Sequence, residues 1–186
     1  MITTLVVQVE NKPGVLNRVA SLFRRRAFNI ESLTVGHTHK PGISRMTIVV
    51  DTDESGAARL EANLYKLVNV LRVENISHTP TVRRDLAVIK VATTAENRAE
   101  IMQLAHVFRA RVVDVAADSM ILETTGAEDK IDGLCEVLRR YGILEMARTG
   151  RVAMTRGGPA PAEIIPAVPR HDMGEPSDDE SVSYSV

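Results

Sequence analysis

The segment Asn11-Lys12-Pro13-Gly14-Val15-Leu16 holds the residue types and spacing best suited to binding chemistry in this chain. The β-branched run from Thr4 to Glu10 precedes it. Behind it Val15, Leu16, Val19, Leu22 and Phe23 recur at helical spacing, with Asn17, Arg18, Ser21 and Arg24 between them. The segment therefore joins a strand to an amphipathic helix. A glycine at that junction lets a ligand approach the backbone closely. The first N–H groups of the helix, on Gly14, Val15 and Leu16, lack intrahelical partners and lie at the positive end of the dipole, which suits a small carboxylate. Asn11 carries a donor and an acceptor and can grip both ends of a zwitterion. The same residues also suit a plain turn with an asparagine cap and a glycine hinge, and residue types alone do not separate the two.

The other reactive groups point to little. His37 and His39 share a side of an extended segment, yet no third metal ligand lies nearby in sequence, and solvated loop histidines are the expectation. Arg24-Arg25-Arg26 could hold phosphate, but three arginines at a helix C-terminus also satisfy its last carbonyls and dipole. Arg83-Arg84 reads as equally ordinary. The single cysteine, Cys135, falls on the apolar face of a helix and is expected to pack there. One cysteine makes neither an internal disulfide nor a Cys-x-x-Cys metal loop, and cytoplasmic residence is the default expectation. No Gly-x-x-x-x-Gly-Lys loop or Gly-x-Ser-x-Gly elbow is present.

Composition narrows the classes further. The 186 residues are 44% hydrophobic and 25% charged with a net charge of −1, the balance of a globular protein. Aromatics reach only 3%, with no Trp, which argues against base-stacking surfaces, and nothing in the charge balance calls for nucleic acid. No apolar run approaches the ~18 residues of a membrane helix, and no signal peptide is visible. The charge is uneven. Residues 157–186 carry six acids against one base, so 1–156 is +4 and the tail −5. That tail also holds five of the eight prolines and is expected to be disordered.

The elements that must position the loop follow from periodicity. Strands are expected at Thr4–Glu10, Ile30–Val35, Met46–Val50 and Val70–Ile76. Helices are expected at Val15–Arg26 and from a cap at Asp53, Glu54 or Ser55, the second with Ala58, Leu60, Leu64, Leu67 and Val68 inward. A second round follows: a strand at Leu86–Val91, a helix at Ala95–Phe108, strands at Val112–Val115 and Met120–Glu123, a helix face of Ile131, Leu134, Cys135 and Leu138 ending at Gly142, and a last strand within Ile143–Met154. The fold class is α+β, two tandem ferredoxin-like βαββαβ units at 1–79 and 80–156. Units of this size are marginal alone, so sheet pairing within or between chains is expected. The second unit has Thr93-Thr94-Ala95-Glu96-Asn97 where the first has its glycine loop, with an acid near the helix start. Only the first is expected to bind an anion.

Asn11-x-Pro13-Gly14-Val15-Leu16-x-Arg18 resembles the ligand loop of ACT domains, the amino-acid-sensing βαββαβ modules of biosynthetic enzymes. Phe28-Asn29-Ile30-Glu31-Ser32-Leu33-Thr34-Val35, Ser44-Arg45-Met46-Thr47-Ile48 and Tyr65–Val73 extend the likeness to the small regulatory subunits of acetolactate synthase. It covers about 1–156 and is most specific across 11–73. It implies a non-catalytic chain that dimerises through its ACT domains, activates the large catalytic subunit and confers feedback inhibition by a branched-chain amino acid, usually valine. By position, Asn11, Gly14, Val15 and Leu16 would hold the effector's amino-acid group, and Asn29 and Ile30 would come from the partner chain. Thiamine diphosphate, magnesium and FAD would belong to the large subunit, with no cofactor bound by this chain. No pattern marks the surface that meets the large subunit; the face near Arg18 and Arg45 is the candidate. A stand-alone amino-acid-binding ACT protein is the alternative. An acylphosphatase-like enzyme fits less well, because its chemistry wants an arginine in the first loop and none occurs before Arg18.

Overall fold

The computed structural model describes residues 1–157, and the expected acidic tail lies outside the described residues from 158 onward. The first unit comprises β1 (Ile2–Glu10), α1 (Val15–Arg25), β2 (Ile30–His37), β3 (Ile43–Asp51), α2 (Glu54–Leu64) and β4 (Val70–Asn75). Its four strands form an antiparallel sheet in the order β2-β3-β1-β4. Alternation along the strands sends Leu5, Val7, Val9, Met46, Ile48 and Val50 to one face. There they are buried with Val15, Val19, Leu22 and Phe23 of α1 and Leu60 and Leu64 of α2.

The second unit repeats the plan with β5 (Thr81–Ala92), α3 (Arg98–Val107), β6 (Arg111–Val115), β7 (Ser119–Gly126), α4 (Glu128–Leu138), a 3-10 turn (Arg139–Tyr141), β8 (Ile143–Arg148) and β9 (Val152–Thr155). The strand order is β6-β7-β5-β8, with β9 paired to the start of β5. Ala87, Ile89, Val91, Met120 and Leu122 meet Ile101, Ala105, Ile131, Leu134 and Leu138 in a second core. The two βαββαβ units expected from periodicity are therefore present.

Several local expectations give way. Asp53 caps α2, accepting from the Gly56 N–H at 2.7 Å. The buried face of α2 is Gly56, Ala57, Leu60 and Leu64, so Ala58 points outward, and Val68, 91% exposed, lies beyond the helix in a turn. α3 begins at Arg98 rather than Ala95, because Thr94 and Asn97 close a turn: the Thr94 N–H donates to Asn97 Oδ1 at 2.7 Å. Gly142 ends the 3-10 turn that follows α4, at φ +93°, rather than α4 itself. Cys135 is only half-buried, with its thiol 3.5 Å from the Met146 sulfur, and burial pushes that thiol up from its ordinary pKa.

The last strand is broken. β8 and β9 run along the same edge of β5 in nearly continuous register, Ala87 facing Arg148 and Arg84 facing Val152. Thr149-Gly150-Arg151 interrupts them, with Gly150 at φ +83°. The interruption coincides with packing against the first unit, where Val6, Ile76 and Ala153 form a small buried cluster. Val6 lies between Leu5 and Val7, so this contact covers the sheet face opposite the helices. Arg45 is spent in the same contact. Its guanidinium donates to the Ala153 carbonyl at 2.6 Å, so it is not part of an open face.

Candidate functional site

The turn from β1 into α1 is held at its base by polar contacts. The Glu10 N–H donates to the Asn69 carbonyl at 2.9 Å, and the Asn11 N–H to the Gly42 carbonyl at 2.8 Å. The loop is thereby sewn to the start of β4 on one side and to the β2–β3 turn on the other. The Asn69 amide donates to the Glu10 carboxylate at 2.5 Å, and Arg18 donates to the Asn69 side-chain oxygen at 2.5 Å. Lys12 adds an ion pair to Glu10 at 3.1 Å. The Asn69 hydrogen bond, and then Lys12, hold the Glu10 carboxyl below its ordinary pKa. The acid nearest the loop is thus ionised and already partnered.

Above this brace the helix start is open. Gly14 is the N-cap residue of α1 with φ +80°, in the left-handed region that favours glycine. Its carbonyl accepts from the Arg18 N–H at 3.0 Å. No side chain caps the helix, and no acid lies in its first turn. A Cβ built on Gly14 meets nothing within 4 Å, so the space over the turn is free. The Val15 N–H turns back to the Lys12 carbonyl at 3.4 Å, a long contact, and the Val15 side chain enters the core while Leu16 is 44% exposed. Asn11 does not act as a cap. Its side-chain nitrogen sits 3.5 Å from His37 Nδ1, at the rim of the turn. The arrangement is a positive, uncapped helix terminus with an amide beside it, able to accept a carboxylate at backbone N–H groups.

Asn29 and Ile30 are elsewhere. Ile30 pairs with Val50, whereas Glu10 pairs with Ile43. Seven residues of β3 separate these pairs, roughly 23 Å at the usual rise per residue. The exposed Asn29 donates to Glu31 at 2.6 Å. One chain brings Asn11, Gly14, Val15 and Leu16 together and leaves Asn29 and Ile30 at the far end of the sheet.

Of the residues that brace the loop, Asn69 falls within the Tyr65–Val73 segment and Glu10 just ahead of Asn11, but their residue types do not point to a brace. The signal for them is the end of a register: Val9 faces Val70, which puts the next residue of β1 beside Asn69. His37 closes β2, and among the described residues it belongs to no group of three or more His, Cys, Asp or Glu arranged for a metal. The equivalent turn of the second unit is closed by its own Thr94–Asn97 contacts and has Glu100 in the first helical turn, which is poor ground for an anion.

Comparison with known proteins covers nearly all of the described chain. Residues 5–72 match the family described as the AHAS small subunit-like ACT domain, and residues 84–157 match the small subunit of acetolactate synthase. A probable acetolactate synthase small subunit of Archaeoglobus fulgidus is 53% identical over 154 residues, covering 83% of this chain and 96% of the relative. The acetolactate synthase small subunit of Bacillus subtilis is 46% identical over 154 residues, 82% and 90% of the two chains. The crystal structure of the acetolactate synthase small subunit of Thermotoga maritima superposes with a TM-score of 0.80 at 40% identity, covering 85% of this chain and 99% of that one. With its two βαββαβ units and an uncapped glycine turn in the first, this chain belongs to the acetolactate synthase small-subunit family.

Proposed function

We propose that the chain is the non-catalytic regulatory subunit of acetolactate synthase, acting in the cytoplasm within branched-chain amino-acid biosynthesis. It activates a thiamine-diphosphate-dependent large subunit and makes it sensitive to a branched-chain amino acid, with valine the first candidate. The unit at 1–79 binds the effector and dimerises, and the unit at 80–156 supports it. Thiamine diphosphate, magnesium and FAD are assigned to the large subunit, and this chain holds none of them.

The observation that carries the effector site is the open turn at Gly14: a left-handed N-cap with no side-chain cap and free space above it. The effector's carboxylate is placed at the N–H groups of Gly14, Val15 and Leu16, and its ammonium beside the Asn11 side-chain oxygen. Asn29 and Ile30 join the site from a second copy. The separation of the two sets within one chain supports that arrangement, because β2 is an edge strand of its sheet and Asn29 just before it is exposed.

A ligand lodged between two chains biases how their sheets pair, and a coupling of ~1–3 kcal/mol is enough for 5–150-fold regulation. Reconstitution tests the reading. The purified chain alone should consume no pyruvate. Added to its cognate large subunit, it should raise the rate and confer inhibition by valine, leucine or isoleucine. Pyruvate turnover by the chain alone, or a mixture showing neither activation nor inhibition, would overturn it.

A further inference from the structure

The break between β8 and β9 is a joint between the two units. Gly150 lies against β2 so closely that a Cβ there would stand 2.3 Å from Ser32 Oγ. The Arg151 N–H donates to Ser32 Oγ at 2.9 Å, and Thr34 Oγ1 donates to the Arg151 carbonyl at 2.8 Å. The guanidinium, with its side chain 11% exposed, reaches in two directions. One nitrogen donates to Thr4 Oγ1 on β1 at 3.0 Å, and another to Glu128 Oε2 at the first residue of α4 at 2.6 Å. Arg148 holds Asp85 at 2.7 Å and Asp132 at 2.8 Å beside it. Ser32, Asp85, Glu128, Arg148, Gly150 and Arg151 line a cleft of about 490 Å³ between the units. Both arginines are already paired, Arg148 with Asp85 and Arg151 with Glu128, so they serve as a strut across the cleft.

We infer that Arg151 is a positioning residue for regulation: it ties β2 to α4, so that a shift of β2 is passed to the second unit. The inference rests on the proposed effector site, because Ser32 lies two residues beyond Ile30 on the same strand. A strand in a sheet moves as a stiff body. Asn29 immediately precedes β2 and the pairing register shifts between Ile30 and Ser32, so a displacement of Asn29 and Ile30 reaches Ser32 and Thr34 through that one irregular residue, and both grip the Arg151 backbone. The forked guanidinium then carries the displacement to Glu128, the N-terminal residue of α4. A lysine would do this less well, since a single ammonium lacks the fixed fork that spans Thr4 and Glu128.

The test separates binding from transmission, using the full chain with its cognate large subunit. Arg151→Met keeps an aliphatic stem of similar length and removes both donors. Calorimetry on the isolated chain should show valine affinity within about threefold of wild type, and activation should persist. Maximal inhibition at saturating valine should fall by at least half. Arg151→Lys should lie between. Glu128→Gln removes the carboxylate that faces Arg151 at 2.6 Å and Arg148 at 4.0 Å from an exposed helix start, leaves the fold intact, and should weaken inhibition in the same direction.

Undiminished maximal inhibition in Arg151→Met and Glu128→Gln would overturn the inference. So would valine affinity lost in step with inhibition, because Arg151 would then serve only to hold the fold. A wild-type chain that neither binds nor confers sensitivity to a branched-chain amino acid would instead overturn the functional reading, and the inference with it.

Discussion

The Asn69 side chain stands between Glu10 and Arg18, donating its amide to the Glu10 carboxylate at 2.5 Å while its oxygen accepts from Arg18 at 2.5 Å. One buried asparagine thus joins the last residue of β1 to the first turn of α1, and the loop carrying Gly14 is spanned by that brace. A preorganised loop spends less of a ligand's binding energy on ordering itself.

Glu10 gives the brace a pH dependence. Its folded pKa is lowered, mainly by the Asn69 hydrogen bond, from an ordinary value of 4.5. A lowered carboxylate pKa contributes stability that is fully present above 4.5 and is lost as pH falls through the lowered value. Glu10→Gln should cost about 1 kcal/mol near neutral pH and flatten the acid limb of thermal stability below pH 4.5. Scanning calorimetry from pH 3 to 7 checks both, and an unchanged acid limb would show that Glu10 contributes nothing there.

Gly14→Asp should abolish effector binding. At ~4 Å and an effective dielectric of ~20, the new carboxylate would repel the effector's by about 4 kcal/mol, roughly half of a micromolar ligand's ~8 kcal/mol. Gly14→Ala separates charge from backbone. Its Cβ meets no neighbour, so only the left-handed φ of +80° matters, at a cost of about 1–2 kcal/mol in stability. Titration calorimetry with valine should find binding lost in the aspartate variant and largely kept in the alanine variant.

Asn29→Ala should weaken the effector by roughly 1–3 kcal/mol through loss of one amide partner. Its combination with Gly14→Asp tests whether the site spans two chains. In a heterodimer of one Gly14→Asp chain and one Asn29→Ala chain, one of the two sites carries both lesions and the other carries none. About half the sites should bind with wild-type affinity. If verified heterodimers retain no intact site, Gly14 and Asn29 act within one chain.

Gly150→Ala should destabilise the joint between the units. The alanine would be strained at φ +83°, and its Cβ would overlap Ser32 Oγ at 2.3 Å, so a cost of about 2–3 kcal/mol is expected. Ser32→Gly in the same chain removes the overlap but not the strain, and should recover part of the loss. A melting temperature unchanged by Gly150→Ala would mean that β2 and the Gly150 turn separate freely in solution.

Removal of residues 158–186 should leave dimerisation, effector affinity and activation nearly intact. The reason is compositional: five prolines and six acids against one base make burial costly. Loss of activation on truncation would make the acidic run a docking element.

Element order is legible in the residues, because β-branched alternation and helical spacing are local properties. Thr4–Glu10 reads as a strand and Gly14 as the glycine of the junction into α1 from residue types alone. The rest depends on how the elements pack. Ala57 rather than Ala58 faces the core, because the rotation of a weakly amphipathic helix is set by the sheet beneath it. The last strand breaks at Thr149-Gly150-Arg151 where β2 presses on it, a contact between residues 32 and 150 that no local pattern records. Arg45 and Arg151 look on paper like ordinary surface cations, yet packing turns both inward to carbonyl, hydroxyl and carboxylate partners more than 20 residues away. The brace of Glu10, Asn69 and Arg18 has the same origin. Its members become neighbours only when β4 closes against β1, because side-chain hydrogen bonds between distant segments depend on strand register, and register is a property of the whole sheet.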